Sequence, residues 1–187
     1  MSLLEKLASK DWRLAAEAAQ SLYATGDDGL QVVLAGLSDS RPRIRRAAVD
    51  WFDHYGDDRC LIGLTERLLS DPVPKVRRAA VHSLGCDRCK GHPLRSDRAP
   101  LLLEVIQKDD NTAVRGEAIF ALSLLPADPR VIPALRAVLV EPELDRKLYA
   151  ATHRALRLHD PEYRRETDAQ ARVNQMPNAK DAACHIS

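Results

Sequence analysis

Residues 71–85, DPVPKVRRAAVHSLG, have the pattern of a helix with one apolar face. Val76, Ala80 and Leu84 stand four residues apart, which places them on one stripe of an α-helix, while the basic residues fall on the opposite side. A proline near the start of this segment suits the first helical turn, where a missing amide hydrogen costs least. The segment therefore predicts an amphipathic helix that buries its apolar stripe.

Nearly the same sequence occurs 32 residues earlier, where residues 39–52 are DSRPRIRRAAVDWF. An apolar anchor equivalent to Val76 recurs along the chain at intervals of 30, 32, 38 and 34 residues, and each has a second apolar residue eight positions later. The five anchors are Leu14, Ile44, Val76, Val114 and Leu148. A shorter amphipathic segment precedes each anchor helix. The chain is therefore predicted to contain five repeats, each a pair of helices.

The composition also favours an all-helical protein. Hydrophobic residues make up 45% of the 187 residues but aromatic residues only 4%, so the core must consist of Leu, Ala, Val and Ile, which let helices pack closely. In a stack of repeats each unit buries its apolar face against its neighbours. The net charge of +1 gives no overall attraction to nucleic acid or membranes, so any basic binding surface must be local.

No part of the sequence predicts export or membrane insertion. The N-terminus lacks a basic segment followed by a long apolar run, and no run approaches the ~18 apolar residues of a membrane span. We therefore expect a cytoplasmic protein without a membrane partner. The cysteines are too few for a secreted disulfide scaffold of this size, which favours reduced thiols or a metal site. They are Cys60, Cys86, Cys89 and Cys184.

The motif D-x-x-P-x-[IV]-R-R-A-A at residues 39–48 and 71–80, with a weaker copy at 109–118, resembles the HEAT repeat family and, within it, the short bacterial HEAT-like proteins. The resemblance spans about residues 2–158. It implies an all-α, right-handed α-solenoid of about five HEAT-type helix pairs. In that family the Asp of the turn and the Arg after the anchor form a hydrogen-bonded ladder between repeats. The ladder residues implied here are Asp39, Asp71, Asp109, Arg45, Arg77 and Arg115.

The solenoid is expected to occupy residues 1–160. The polar C-terminal tail, residues 161–187, is expected to be mobile because its sequence lacks an apolar stripe. The first and last repeats have Ala15 and Tyr149 where the inner repeats have Arg, as is typical of end repeats with a single neighbour. The longest interval between anchors indicates an insertion at residues 85–98.

The insertion and the helix before it contain the pattern H-x3-C-x2-C-x2-H, formed by His82, Cys86, Cys89 and His92. C-x2-C is the usual spacing of two zinc thiolates, and four protein ligands would form a closed structural zinc site. The Cys or His at residues 184–185, or water, is an alternative fourth ligand. Without metal, the two cysteines are ordinary loop thiols. A redox dithiol is disfavoured because the motif follows a helix C-terminus, where the dipole does not lower a thiol pKa.

The second helices of HEAT-like repeats line the concave side of the solenoid, so the polar positions near the anchors predict one surface. Four cations cluster there in repeats two and three, with an aspartate and a tryptophan beside them. These residues are Arg43, Arg46, Lys75, Arg78, Asp50 and Trp51. The leading hypothesis is a scaffold whose basic band binds an acidic segment of a protein partner. The alternative is a solvated polar face without a partner.

Nucleic-acid binding on the same face is the rival hypothesis, because a basic band with an aromatic neighbour also suits a phosphate backbone. HEAT-like DNA glycosylases combine such a face with Trp and Asp, here Trp51, Asp50 and Asp53, and HEAT-like bilin lyases are a further alternative. Other catalysis is not indicated. No His precedes a Glu, as the metal ligands of HEAT-like deoxyhypusine hydroxylases require, and neither a G-x-S-x-G motif nor a Gly-rich phosphate loop is present.

Overall fold

The computed structural model describes residues 1–91 and 93–175, which form α-helices and short 3₁₀ turns and contain no strand. The α-helices are α1 (Leu3–Leu7), α2 (Trp12–Ala24), α3 (Asp27–Gly36), α4 (Pro42–Tyr55), α5 (Leu61–Ser70), α6 (Pro74–Gly85), α7 (Ala99–Lys108), α8 (Thr112–Leu122), α9 (Ile132–Leu139), α10 (Arg146–His159) and α11 (Pro161–Gln175). The 3₁₀ turns Asp58–Cys60 and Pro129–Val131 precede α5 and α9. None of the described helices is both long enough and apolar enough to cross a membrane.

Ten of these helices form five consecutive pairs, from α1 with α2 to α9 with α10. The second helices α4, α6, α8 and α10 also pack against one another in chain order and form a continuous layer. Each pair therefore buries its apolar side against its neighbours, as the interval between anchors requires. The predicted all-α solenoid of five helix pairs is confirmed.

The apolar stripe of α6 lies at the centre of this stack. Val76, Ala80 and Leu84 are each at most 1% exposed, because α6 packs against α4, α5 and α8. Pro74 occupies the first turn of the helix, and the extended backbone of Cys86 follows its last residue. The helix predicted within residues 71–85 is therefore confirmed, and its position makes it the main packing element of the chain.

Arginines near the start of the second helices join successive repeats. Arg45 donates to both carboxylate oxygens of Asp71, at 2.6 and 2.9 Å, and also to the backbone carbonyl of Asp39. Arg77 makes the equivalent bonds to Asp109 at 2.7 and 2.9 Å, and donates to the carbonyl of Asp71. Both pairs are largely buried. The ladder that the family resemblance implied is present between repeats two, three and four.

The two ends of the ladder differ from the implied pattern. The carboxylate of Asp39 bonds to Arg41, whose hydrogen bonds lower the pKa of Asp39 to about 2. The first repeat has Ala15 at the position equivalent to Arg45 and Arg77, so it offers Asp39 no arginine there. Arg115 donates to Glu141 in place of an aspartate. The end repeats therefore have their own ion pairs.

The structure replaces the first part of the expected mobile tail with a helix, α11, over residues 161–175. The Asp160 side chain accepts hydrogen bonds from the backbone amides of Glu162 and Tyr163, at 3.0 and 3.1 Å, which caps the start of α11. Helix α11 packs against α10, and Arg157 donates to Thr167 across this contact. The capping signal therefore outweighs the missing apolar stripe. Residues 176–187 lie outside the described part of the chain.

Candidate functional site

Three of the four predicted cations line one cavity of about 480 Å³ on the exposed face of the second helices, which we call the second-helix face. The residues around this cavity are Arg46, Lys75, Arg78, Ala79, His82 and Glu117. The fourth cation, Arg43, lines a neighbouring cavity of similar volume, and Arg46 lines both. Helices α4 and α6 thus bring the predicted basic band together.

The cations of the second-helix face differ in how far they are neutralised. Arg46 donates to Asp50 at 2.8 Å and to the backbone carbonyl of Lys75 at 3.2 Å, and Arg78 donates to Glu117 at 2.8 Å. Neither Arg43 nor Lys75 forms an ion pair with any residue that the structure describes. The band therefore has two uncompensated charges and two that are already paired.

Trp51 differs from the prediction, because its side chain lies in the interior. It is 5% exposed, its indole N–H donates to the backbone carbonyl of Ala19 at 3.1 Å, and its ring packs edge-on against Phe52. One residue along a helix is a rotation of about 100°, which separates buried Trp51 from exposed Asp50. Trp51 positions α4 against α2 and offers no stacking surface to a partner.

Glu117 of α8 is the part of this site that the sequence did not predict. Its carboxylate accepts from Arg78 and lies 3.1 Å from Nδ1 of His82, and its side chain is only 12% exposed. The sequence feature that could have indicated Glu117 is its residue type, which differs from that of the equivalent positions in repeats two and three. The equivalent positions are Ala47 and Ala79 in these two near-identical repeats. A glutamate there adds a charge where the second helices of successive repeats pack closely.

A thiol cluster adjoins the second-helix face at the end of α6. The ligand atoms of His82, Cys86 and Cys89 lie within 4.8 Å of one another, and the two sulfur atoms are 3.8 Å apart. The last turn of α6 aligns His82 with Cys86, and the inserted loop brings Cys89 back beside them. The fourth predicted ligand, His92, lies outside the described residues, as do residues 184–185.

Asp53 of α4 borders this cluster. Its Oδ2 lies 3.7 Å from Nε2 of His82, and its buried Oδ1 has no hydrogen-bond partner in the described part of the chain. The buried ammonium of Lys90 is 3.6 Å from that Oδ1. Desolvation, the hydrogen bond with Cys86 and the negative charge of Asp53 together raise the pKa of the Cys89 thiol to about 11. A thiol with a raised pKa is a poor redox nucleophile.

The fold is similar to a chain in the structure of the complex of CpcE and CpcF of phycocyanin lyase from Nostoc sp. PCC7120. The TM-score is 0.63 at 21% sequence identity, and the match covers 82% of this chain and 95% of that one. At this identity the likeness concerns the fold alone. No curated protein matches this chain in sequence.

The repeat pattern also has a counterpart among protein families. A family model described as HEAT repeats matches residues 1–85 and 61–156, which together are most of the chain. These matches include helices α1 to α9 and most of α10. They also include the Arg45–Asp71 and Arg77–Asp109 bonds between repeats. The chain therefore belongs to the HEAT repeat family.

Proposed function

We propose that this protein is a HEAT-repeat scaffold whose second-helix face binds an acidic segment of a protein partner. The observation that carries the proposal is the cavity at which Arg46, Lys75 and Arg78 meet, with Lys75 free of ion pairs to any described residue. The HEAT repeats support assigning this face to the concave side of the solenoid. The similar solved chain belongs to a complex of CpcE and CpcF, which supports the binding of a protein partner by a fold of this kind.

The existing ion pairs leave the band available to an incoming carboxylate. The Arg46 and Asp50 side chains are 46% and 53% exposed, and a pair so exposed is worth only ~0–1 kcal/mol. A partner carboxylate can therefore replace Asp50 at little cost and form a two-point bond with the guanidinium. Lys75 adds an uncompensated positive charge beside it, so a segment with several acidic residues gains at both positions.

The neighbouring groups favour an acidic peptide over nucleic acid. Asp50 and Glu117 lie among the cations and would repel a phosphate backbone, whose charges are closely and regularly spaced. Binding of single strands usually adds stacking on an aromatic ring, and Trp51 is buried. The set proposed for a DNA glycosylase is also divided, since Asp50 is exposed whereas Trp51 and Asp53 are not.

Charge reversal at Lys75 tests the proposal. A short fluorescent peptide rich in Glu is expected to bind the protein, and Lys75→Glu is expected to weaken its binding about tenfold, or ~1.4 kcal/mol, by fluorescence anisotropy. Lys108→Glu is the matched control, because Lys108 lies on α7, away from the band, and is 72% exposed. Equal losses in the two variants would show that only net charge matters. Binding of DNA but not peptide, with steep salt dependence, would establish the rival function.

We also propose that His82, Cys86 and Cys89 hold a structural zinc ion. The support is the mutual proximity of one imidazole and two thiols, the ligand types that suit zinc. Protein purified without a His-tag under reducing conditions is expected to contain about one equivalent of zinc, and a chelator is expected to lower its melting temperature. Less than about a tenth of an equivalent, unchanged after zinc is added, would contradict this proposal.

A further inference from the structure

We infer that Asp53 of α4 is the fourth ligand of the zinc ion, in the place for which the sequence suggested His92. The inference rests on the zinc binding proposed above and extends the site from one repeat to two. Asp53 and His82 belong to successive second helices, α4 and α6, and Cys89 belongs to the inserted loop. The ligand set would then be one imidazole, two thiolates and one carboxylate.

Two of the distances between the ligand atoms are close to those of a tetrahedral ion. A zinc–sulfur bond of ~2.3 Å places two thiolates of a tetrahedron ~3.8 Å apart, and the sulfur atoms of Cys86 and Cys89 are separated by 3.8 Å. Zinc–nitrogen and zinc–oxygen bonds of ~2.0–2.1 Å require ~3.4 Å between those two ligand atoms, and Nε2 of His82 is 3.7 Å from Oδ2 of Asp53. The ligand atoms of His82, Cys86 and Cys89 lie within 4.8 Å of one another, so binding requires a side-chain adjustment of about an ångström at the widest of these separations.

Glu117 supplies the hydrogen-bond acceptor that a ligating histidine needs beside its other ring nitrogen. Nδ1 of His82 lies 3.1 Å from Oε1 of Glu117, while Nε2 of the same ring faces Asp53. When Nδ1–H donates to Glu117, the lone pair of Nε2 is free to bind the ion, which is the usual carboxylate–histidine–zinc arrangement. Arg78 holds the other oxygen of Glu117 at 2.8 Å, so the orientation of His82 is fixed from outside the site.

The charges near the ion balance. Two thiolates and the Asp53 carboxylate carry three negative charges, and a zinc ion together with the Lys90 ammonium carries three positive ones. Lys90 is held in place by the backbone carbonyls of Ser83 and Cys86. Without an ion, Oδ1 of Asp53 is a buried acceptor without a hydrogen bond among the described residues, a costly arrangement. The carboxylate would bind the ion through Oδ2, while Oδ1 stays 3.6 Å from the Lys90 ammonium.

Such an ion would join the end of α4 to the end of α6. The Arg45–Asp71 bond fixes the beginning of α4, and Asp53 lies in its last turn, at the opposite end. Four protein ligands leave no position for water or substrate, so the role is structural. The ion would also hold the inserted loop, through Cys89, against the two helices that carry the basic band.

The test compares zinc affinities of variants, measured under reducing conditions by competition with a chromophoric chelator. Asp53→Asn keeps the shape of the side chain and is expected to weaken zinc binding at least about tenfold. Asp50→Asn, a matched change one turn away on the same helix, and His92→Ala are expected to bind as the original protein does. Circular dichroism of each variant checks that the helices are retained.

A second variant keeps the inference testable should Asp53→Asn fail to fold. Asp53→Cys supplies another ligand at the same position, and its cobalt complex is expected to show a stronger sulfur-to-metal charge-transfer band than the original protein does. Full affinity in Asp53→Asn with loss in His92→Ala, or an unchanged band in Asp53→Cys, would overturn the assignment of Asp53 while leaving zinc binding intact. Failure of the original protein to bind zinc would overturn both.

Discussion

Arg77 and Arg78 are adjacent in α6 and chemically identical, but their surroundings differ. The Arg77 side chain is 12% exposed and is bound to Asp109, which is 7% exposed. Arg78 is 57% exposed and bonds to Glu117 on the second-helix face. A rotation of about 100° between neighbours on a helix is enough to assign one arginine to the ladder and the other to the surface.

Arg77→Ala is expected to destabilise the protein more than Arg78→Ala. Removal of Arg77 leaves the buried Asp109 carboxylate without its charged partner, at a cost of ~2–3 kcal/mol. Removal of Arg78 is expected to cost less, ~1 kcal/mol, because Arg78 is mostly exposed and Glu117 keeps its contact with His82. Thermal unfolding of the two variants at neutral pH measures the difference. Equal melting temperatures would mean that the ladder contributes nothing to stability.

Individual contacts between repeats were harder to predict than the positions of side chains on their own helices. The spacing in the sequence identified Arg77 as a ladder residue, because the family pattern repeats there. It did not identify Glu117 or Asp53 as neighbours of His82, because those contacts depend on how far α4 and α8 are shifted along α6. It placed Trp51 with the surface residues, and burial against α2 shows that it belongs to the interior.

At the scale of the helices, the close approach of α6 to α8 depends on one glycine. A Cβ atom built on Gly85 would lie 2.3 Å from the Cβ of Ala121, far below van der Waals contact. Gly116, on α8, has room by contrast, since the nearest atom to its Cβ would be a Leu148 methyl at 3.8 Å. The two glycines therefore have different physical reasons for being tolerated.

The same substitution is expected to have opposite effects at these two positions. Gly85→Ala should destabilise the protein by ~1–3 kcal/mol, because α6 and α8 must move apart. Gly116→Ala should stabilise it by ~0.5–1 kcal/mol, because alanine favours the helical backbone. Urea unfolding of both variants gives the two signs. A stabilising Gly85→Ala would show that the packing of α6 on α8 is looser than described.

Helix boundaries were predictable wherever the sequence follows the repeat motif closely. Proline at the first turn and an apolar residue at every fourth position marked α4 and α6, and both helices begin at those prolines. The path of the insertion could not be predicted, because it lacks periodicity and is held by side chains such as Lys90 and Arg98 that bond to backbone carbonyls. Helix α11 was missed because its signal is a cap and not an apolar stripe.

For the molecule as a whole, α11 closes the last repeat. A solenoid needs a polar outer face at each end, and α11 covers α10 with Tyr163 packed edge-on against His153 at 5.6 Å between ring centres. Its other side is mostly exposed polar residues. The end of the stack is therefore shielded by a helix outside the five repeats.

Deletion of residues 161–187 is expected to lower the melting temperature by about 3 °C or more, corresponding to ~1 kcal/mol for a chain of this size. The physical reason is exposure of the α10 surface that α11 covers. Deletion of residues 176–187 alone is the matched control, because it leaves α11 whole. Differential scanning calorimetry of the three chains decides the matter, and identical transitions would show that α11 does not support the solenoid.

The restriction of the Arg–Asp ladder to repeats two, three and four also determines how the molecule yields to force. A force that pulls the two ends apart acts on every interface between successive repeats, which we call a seam. The weakest seam therefore opens first. The first seam has the exposed pair between Arg41 and Glu5, and the last has the partly exposed pair between Arg115 and Glu141. The two inner seams have buried two-point bonds. Under tension the first and last contacts between repeats are therefore expected to open before those of the middle repeats, which carry the basic band.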